Sequence, residues 1–305
     1  MKQLSLFEES IQGKPFLKWA GGKGQLIDAI SAHLPNMENI DTYVEPFIGS
    51  GAVMFWLVSN YPNIKQVVIN DLNTELANLY QTIKYDVEGL ITELRTLDSE
   101  YKARPTQEER SEYYYQIRVE YNARDLASRD RNIRLAALFI FLNRTCFNGL
   151  YRVNGKNLFN VPFGKYANPK ICDEDNLRND NALLQKVEIL NGDYAETLQY
   201  LNGRSFYYLD PPYKPISETS SFNSYSSMSF DDEQQIRLKE FCDAINAQNG
   251  KFMLSNSDPK SVDDSNTFFD DLYGAYNIHR VLAKRNINSK ADKRGEINEL
   301  LITNY

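Results

Sequence analysis

The chain has 305 residues, of which 42% are hydrophobic and 25% charged, and its formal net charge is −7. That balance is ordinary for a globular protein in water, no apolar run approaches the ~20 residues of a membrane-spanning helix, and the net acidity argues against indiscriminate binding of polyanions. The length has room for two domain-sized units or one enlarged domain.

The amino terminus, Met1 to Glu9, is too acidic and too poor in apolar residues for a secretory signal, so a cytoplasmic protein is expected. Cys146, Cys172 and Cys242 are odd in number and far apart, which speaks against a disulfide framework. His33 and His279 are the only histidines, and neither adjoins a cysteine or another histidine, so no metal site is expected.

In chain order, Phe16-Leu17-Lys18-Trp19-Ala20-Gly21-Gly22-Lys23 superficially resembles a phosphate loop. Leu17 stands where the first glycine belongs, and Gly24 replaces the magnesium-binding Ser or Thr. A Trp beside two glycines and a Lys suits gripping a small ligand that bears a carboxylate. Residues 41–45 read as a buried strand, Glu45-Pro46-Phe47-Ile48-Gly49-Ser50-Gly51 as a glycine loop, and 52–58 as the helix behind it. Such a junction lets backbone approach a ligand closely and aims helix N–H groups at it. Met54 stands where a dinucleotide fingerprint has its third glycine, which disfavours NAD. Residues 66–71 form the next strand, ending on Asp71, 20 residues after Gly51, where a carboxylate takes ribose hydroxyls. Together these two features point to a nucleoside-type cofactor.

Residues 74–145 are helical in pattern, and 146–170 are rich in glycine, asparagine and aromatics. We expect 76–172 to be an inserted domain, with 1–75 and 173–305 forming the sheet domain. Within 129–170, Arg129, Arg131, Arg134, Arg144, Arg152, Lys156, Lys165 and Lys170 are opposed only by Asp130. A second basic stretch holds Arg280, Lys284, Arg285, Lys290, Lys293 and Arg294 against Asp292. Two basic stretches on an acidic chain suit a nucleic-acid-facing side. Further strands are expected at 186–190, 206–209, 252–255 and 298–303, and His279 is expected on another. Strands alternating with helices predict a parallel α/β sheet covered on both faces. Ser217–Ser229 is a serine-rich tract.

Asp193 and Tyr194 follow the third expected strand, and Asp193 is a candidate acceptor for an adenine amino group. Asp210-Pro211-Pro212-Tyr213 directly follows the fourth. Ligands of open α/β sheets gather at such carboxyl ends. The exocyclic nitrogen of adenine is a poor nucleophile because its lone pair is delocalised into the ring. A carboxylate at Asp210 and a carbonyl at Pro211 can accept its two N–H bonds. The prolines stiffen the turn and remove N–H donors, and Tyr213 offers a face for an extruded base.

With these motifs in hand, the chain resembles the Dam-like, D12-class adenine-N6 DNA methyltransferases, alpha group. The likeness runs nearly end to end. It includes Lys18–Lys23, Glu45-Pro46-Phe47 with Gly49-Ser50-Gly51, Asn70-Asp71, Leu142-Asn143-Arg144, Asn148-Gly149-Leu150, Phe159–Gly164 and Asp210–Tyr213. The fold it implies is a Rossmann-like methyltransferase sheet with helices on both faces, plus a mainly helical DNA-recognition insert with a β-hairpin. It implies S-adenosyl-L-methionine as cofactor, with contacts at Trp19, Gly22, Lys23, Glu45, Phe47, Gly49, Gly51, Asp71, Asp193, Tyr194 and Asp210. It implies catalysis by Asp210, Pro211, Pro212 and Tyr213. Double-stranded DNA is the implied partner, met by Arg144, Phe147, Asn148, Leu150, Arg152, Pro162 and Tyr166, with Arg152 reading a guanine and GATC as the target. A monomer without an obligate protein partner is expected, in a restriction–modification, replication-marking or mobile-element setting. The competing readings are a cytosine-N4 or other amino-methyltransferase, and a catalytically silent sequence-specific DNA-binding protein. A cytosine-C5 enzyme is disfavoured because none of the three cysteines follows a proline.

Overall fold

A computed structural model describes residues 11–19, 21–214, 230–284 and 296–305. Its strands are β1 (Thr42–Glu45), β2 (Gln66–Asn70), β3 (Val187–Leu190), β4 (Ser205–Leu209), β5 (Lys251–Ser257), β6 (Asn277–Lys284) and β7 (Glu296–Thr303). Its helices are α1 (Ile27–Ala32), α2 (Ala52–Asn60), α3 (Thr74–Tyr85), α4 (Val87–Lys102), α5 (Gln107–Asn122), α6 (Ile133–Thr145), α7 (Glu174–Leu184), α8 (Asp232–Ala247) and α9 (Phe268–Leu272).

The strands form one sheet in the order β3-β2-β1-β4-β5-β7-β6. β1 to β5 pair in parallel, whereas β7 runs antiparallel to both β5 and β6. The all-parallel expectation is therefore corrected at this edge. β6 and β7 are consecutive in the chain with only 11 residues between them, fewer than the dozen or more that a parallel crossover takes. The order reverses at the β1/β4 boundary, where neighbouring chains leave in opposite directions. Such a crevice is the usual ligand site of an open α/β sheet.

Alternation along the strands sorts side chains onto two faces. Tyr43, Val67, Phe206, Tyr208, Met253 and Leu301 pack on one face, against a core reaching into α2, α3 and α7. Val44, Val68, Tyr207, Leu209, Phe252, Leu254, Leu300 and Ile302 pack on the other, with Leu238, Phe241 and Ile245 of α8 and Phe269 of α9. Both faces are covered, which explains why these strands read as continuous apolar runs.

Residues 76–172 form α3 to α6 and the segment that follows. Their core is continuous with that of the sheet: Leu94, Tyr114 and Phe141 belong to the same buried cluster as Tyr43 and Val67. The helices start on side-chain caps, as where Asn73 Oδ1 accepts from Leu76 N at 3.0 Å. After α6 the chain makes a short hairpin-like excursion. Val153 bridges Phe159, and Asn160 N donates to Arg152 O at 3.0 Å. Helix α5 braces its return arm. Asn122 bonds both the N–H (2.8 Å) and the carbonyl (3.0 Å) of Phe159, and the Tyr114 hydroxyl donates to Val161 O at 2.7 Å.

The two histidines, remote in sequence, meet with ring centroids 4.4 Å apart, joining the end of α1 to β6. Ser217–Ser229, Ala20, the first ten residues and the second basic stretch from Arg285 to Arg294 lie outside the described residues.

Candidate active site

Three strand-end loops converge at the crevice, and one buried amide ties them. Asn70 Nδ2 donates to the carbonyls of Pro46 and Gly192, each at 3.0 Å, and its Oδ1 accepts from Gly192 N at 3.1 Å. The loop after β1 is thereby held against the ends of β2 and β3. Within it, Gly49 N donates to Asp71 Oδ2 at 3.2 Å, and Asn73 N donates to Asp71 Oδ1 at 2.9 Å. Burial raises the Asp71 carboxyl pKa above its usual range, against the pull of these backbone donors. Each oxygen keeps a further acceptor direction, enough for the hydroxyls of a ribose. Leu72, the next residue in the chain, is 55% exposed.

Two glycines of this loop are conformationally required. Gly51 has φ +71° and caps α2, and a Cβ there would stand 2.5 Å from the Tyr80 hydroxyl oxygen. Gly49 has φ +48°, and its Cβ would stand 3.1 Å from Trp19 Nε1. The Trp19 indole thus rests on the loop backbone, while its ring stacks on Tyr151 with centroids 5.6 Å apart.

Lys23 is only 5% exposed. Its ammonium donates to Gly21 O at 2.7 Å, pairs with Asp210 Oδ1 at 2.9 Å and lies 4.5 Å from the centre of the Tyr213 ring. The lysine of the Trp19–Lys23 segment thus faces the Asp210–Tyr213 turn. Burial raises the Asp210 carboxyl to about 6, with Lys23 opposing that rise and Glu299 adding to it. Glu45 accepts from the Tyr43 hydroxyl at 2.6 Å, and burial together with the nearby charge of Asp210 holds its carboxyl well above the carboxylate range.

The turn itself is braced by residues that sequence reasoning did not single out. Gln235 Nε2 donates to Pro212 O at 3.4 Å, Asn256 Nδ2 to Gln235 Oε1 at 3.2 Å, and Lys214 N to Asn256 Oδ1 at 3.3 Å. Among the described residues no donor meets the Pro211 carbonyl, so it and Asp210 remain the acceptors at the turn. The Tyr213 hydroxyl donates to Glu299 Oε2 at 2.7 Å.

Similarity to known proteins runs across nearly the whole chain. A model of the D12 class N6 adenine-specific DNA methyltransferases matches residues 19–287. The Type II methyltransferase M.MjaIII of Methanocaldococcus jannaschii is 48% identical, covering 96% of this chain and 99% of its own. The chain belongs to the D12 class. M1.LlaDCHI of Lactococcus lactis subsp. cremoris is 38% identical over 98% of each chain. A DNA adenine methylase of Escherichia coli is 33% identical over 95% of each. The adenine specificity of the class disposes of the cytosine-N4 reading, and the chain is an enzyme rather than a silent DNA-binding protein.

In this methyltransferase, Asp193 is paired with an arginine of α8. Both its oxygens accept from Arg237 at 2.8 Å, which lowers its pKa, and Oδ1 also accepts from Ala195 N at 2.9 Å. Arg237 in turn covers the Tyr194 ring, which lies 5.1 Å from the ring of Phe47. Gly22 is exposed and donates to Trp19 O at 3.2 Å, closing the turn before Lys23.

Three of the eight cations of the first basic stretch are neutralised by acids. Arg131 pairs with Asp86, Arg134 with Glu93 and Glu120, and Lys170 with Asp173. Arg129 bonds Thr74 and Asn191. Arg144 donates to Phe16 O at 2.8 Å, and burial lowers its pKa, so it ties α6 to the N-terminal segment. Arg152, Lys156 and Lys165 are exposed and make no ion pair with a described residue. Arg152 bonds Asn160 Oδ1 at 2.7 Å across the hairpin. Phe147 is 50% exposed, Asn148 is exposed with φ +55°, and Pro162, whose carbonyl accepts from Phe147 N at 2.8 Å, is exposed beside them. Leu150 is half-buried, and Tyr166 lies under the Lys18 ammonium at 4.4 Å.

A Gly51→Ala variant is expected to lose about 1–3 kcal/mol of stability from its positive φ and the contact with Tyr80. Adding Tyr80→Phe, which deletes the clashing oxygen, should recover part of that loss in chemical denaturation. No recovery would show that the contact is not the cause.

Proposed function

We propose that this methyltransferase takes its methyl group from S-adenosyl-L-methionine and places it on N6 of an adenine flipped out of double-stranded DNA, with GATC as the target. The observation that carries the proposal is the cluster of Lys23, Asp210 and Tyr213 at the sheet's reversal point, alongside the Asp71 loop. The donor groups fit the cofactor. Asp71 would take the ribose hydroxyls, Leu72 and Phe47 offer apolar surface for a base, and the glycine turn before Lys23 offers backbone to the methionyl end. The cofactor supplies an electrophilic methyl group on a sulfonium.

What the chain does is orient and stabilise. Asp210 and the Pro211 carbonyl accept the two N–H bonds of the amino group, which turns the nitrogen lone pair outward. As that nitrogen attacks, the N–C bond would form while the methyl–sulfur bond breaks to leave a thioether. Positive charge develops on the nitrogen, a fixed carboxylate favours that charged state over the ground state, and the surplus proton then leaves to solvent. Lys23 keeps Asp210 ionised despite burial and keeps it aimed. Tyr213 supplies the stacking face, and proximity of acceptor and donor accounts for much of the remaining rate gain. Asp210 serves as an acceptor and not as a general base. On the DNA side, residues 76–172 form the target-recognition unit. The unneutralised cations on the hairpin, the exposed Phe147 beside Leu150, and Arg152 support a groove-reading role, with an apolar side chain filling the gap left by the flipped base.

Asp210→Ala is expected to lower methyl transfer more than about 100-fold while duplex binding in a gel-shift assay is retained; full activity in that variant would refute the assignment. Arg152→Ala should relax choice at a single guanine, costing about 1–3 kcal/mol of discrimination. Rates measured on duplexes substituted at each target position read this out. An unchanged preference would remove Arg152 from the reading role.

A further inference from the structure

We propose that Glu299 on β7 is a positioning residue of methyl transfer, fixing the ring of Tyr213 so that it presents one defined face to the acceptor base. This rests on the reading of Asp210–Tyr213 as the base-holding turn and adds to it a residue from a distant strand.

The topology explains how Glu299 reaches the site. The parallel strands β1 to β5 all end at the ligand-binding edge. An antiparallel neighbour brings its early residues to that same edge. Glu299 stands opposite Ser257, the last residue of β5, and β5 pairs with β4, which leads directly into Asp210. The reversal of β7 is thus what makes a β7 side chain available to the turn.

The contact is specific. Glu299 Oε2 accepts the Tyr213 hydroxyl at 2.7 Å, a bond to a charged acceptor and stronger than a neutral one. Burial, with Asp210 and Glu299 close by, holds the Tyr213 phenol well above its ordinary pKa, so it stays a donor. The other end of the tyrosine leaves a turn stiffened by two prolines. The ring is fixed at both ends, against the Lys23 ammonium that also holds Asp210. Without its anchor, the ring regains freedom about its side-chain torsions, and the stacking face loses definition when the base arrives.

Three variants test this in the full-length enzyme with S-adenosyl-L-methionine and a duplex substrate. Glu299→Ala and Tyr213→Phe should each lower kcat about tenfold, with little change in KM for either substrate. The double variant should be no worse than either single one, because both delete the same contact. Glu299→Gln keeps an acceptor for the phenol and should recover most of kcat. That variant also removes a negative charge facing Asp210. Among the described residues, the other groups facing that carboxyl are Lys23 and Glu45, together with the hydroxyls of Tyr43, Tyr208 and Tyr213. The acid limb of kcat/KM should therefore move to lower pH in Glu299→Gln, a shift that a merely structural residue would not give.

Additive losses in the double variant, or wild-type kcat in Glu299→Ala, would overturn the proposal. If Glu299→Ala fails to fold, Tyr213→Phe and Glu299→Gln still decide it: wild-type kcat in the former, or an unmoved acid limb in the latter, overturns it. If Asp210→Ala is inactive while the Glu299 and Tyr213 variants are unaffected, only this inference fails. If Asp210→Ala stays active, the reading beneath it fails.

Discussion

A lysine ammonium that is 5% exposed needs a counter-charge, and Lys23 has one in Asp210 at 2.9 Å. Leaving either partner alone in that environment is costly, since a buried charge without a partner shifts its pKa or destabilises the fold. Much of the molecule serves to bring these two groups together. Lys23 lies on the N-terminal segment and Asp210 at the end of β4, nearly 200 residues later. The segment is held down by a buried amide: Asn143 of α6 accepts from Lys18 N and donates to Lys18 O, each at 2.8 Å, and donates to Gly149 O at 2.9 Å. Farther along, Lys14 N donates to the buried carboxyl of Asp180 on α7, at 3.0 Å. The helices between β2 and β3 therefore fasten the strap that carries Lys23, besides bearing the hairpin.

The same contacts link the N-terminal segment to the start of the hairpin. Asn143 joins Lys18, next to Trp19, to Gly149, next to the exposed Phe147 and Asn148. At the other end, Asn70 fixes the loops after β1 and β3 to each other. The crevice is a set of loops cross-linked by buried side-chain amides, the arrangement expected where groups must be placed accurately before substrate arrives.

The sheet was largely legible in the sequence because its strands are short apolar runs bounded by turn residues. The approach of the glycine loop to Asp71, made by Gly49 N, was legible because the spacing is local to one strand–helix–strand unit. What escaped was set by distance along the chain. The antiparallel course of β7, and with it the approach of Glu299 to Tyr213, depends on strand order, which no local pattern encodes. Gln235 and Asn256, which brace Pro212, sit in an amphipathic helix and an apolar strand, where nothing marks them. The charge tally misled for the same reason: Arg131, Arg134 and Lys170 look free in sequence and are paired in space with Asp86, Glu93, Glu120 and Asp173. The partner of Asp193, Arg237, lies 44 residues away on α8.

The ion pair at the centre of the site has a direct readout in the titration of Asp210 itself, followed by NMR of the labelled carboxyl in the native chain and in Lys23→Met. The native group should titrate at about 6. Removing the ammonium that opposes the effect of burial should drive that titration to higher pH. An unchanged or lowered value in Lys23→Met would contradict the role of the buried lysine in keeping Asp210 ionised.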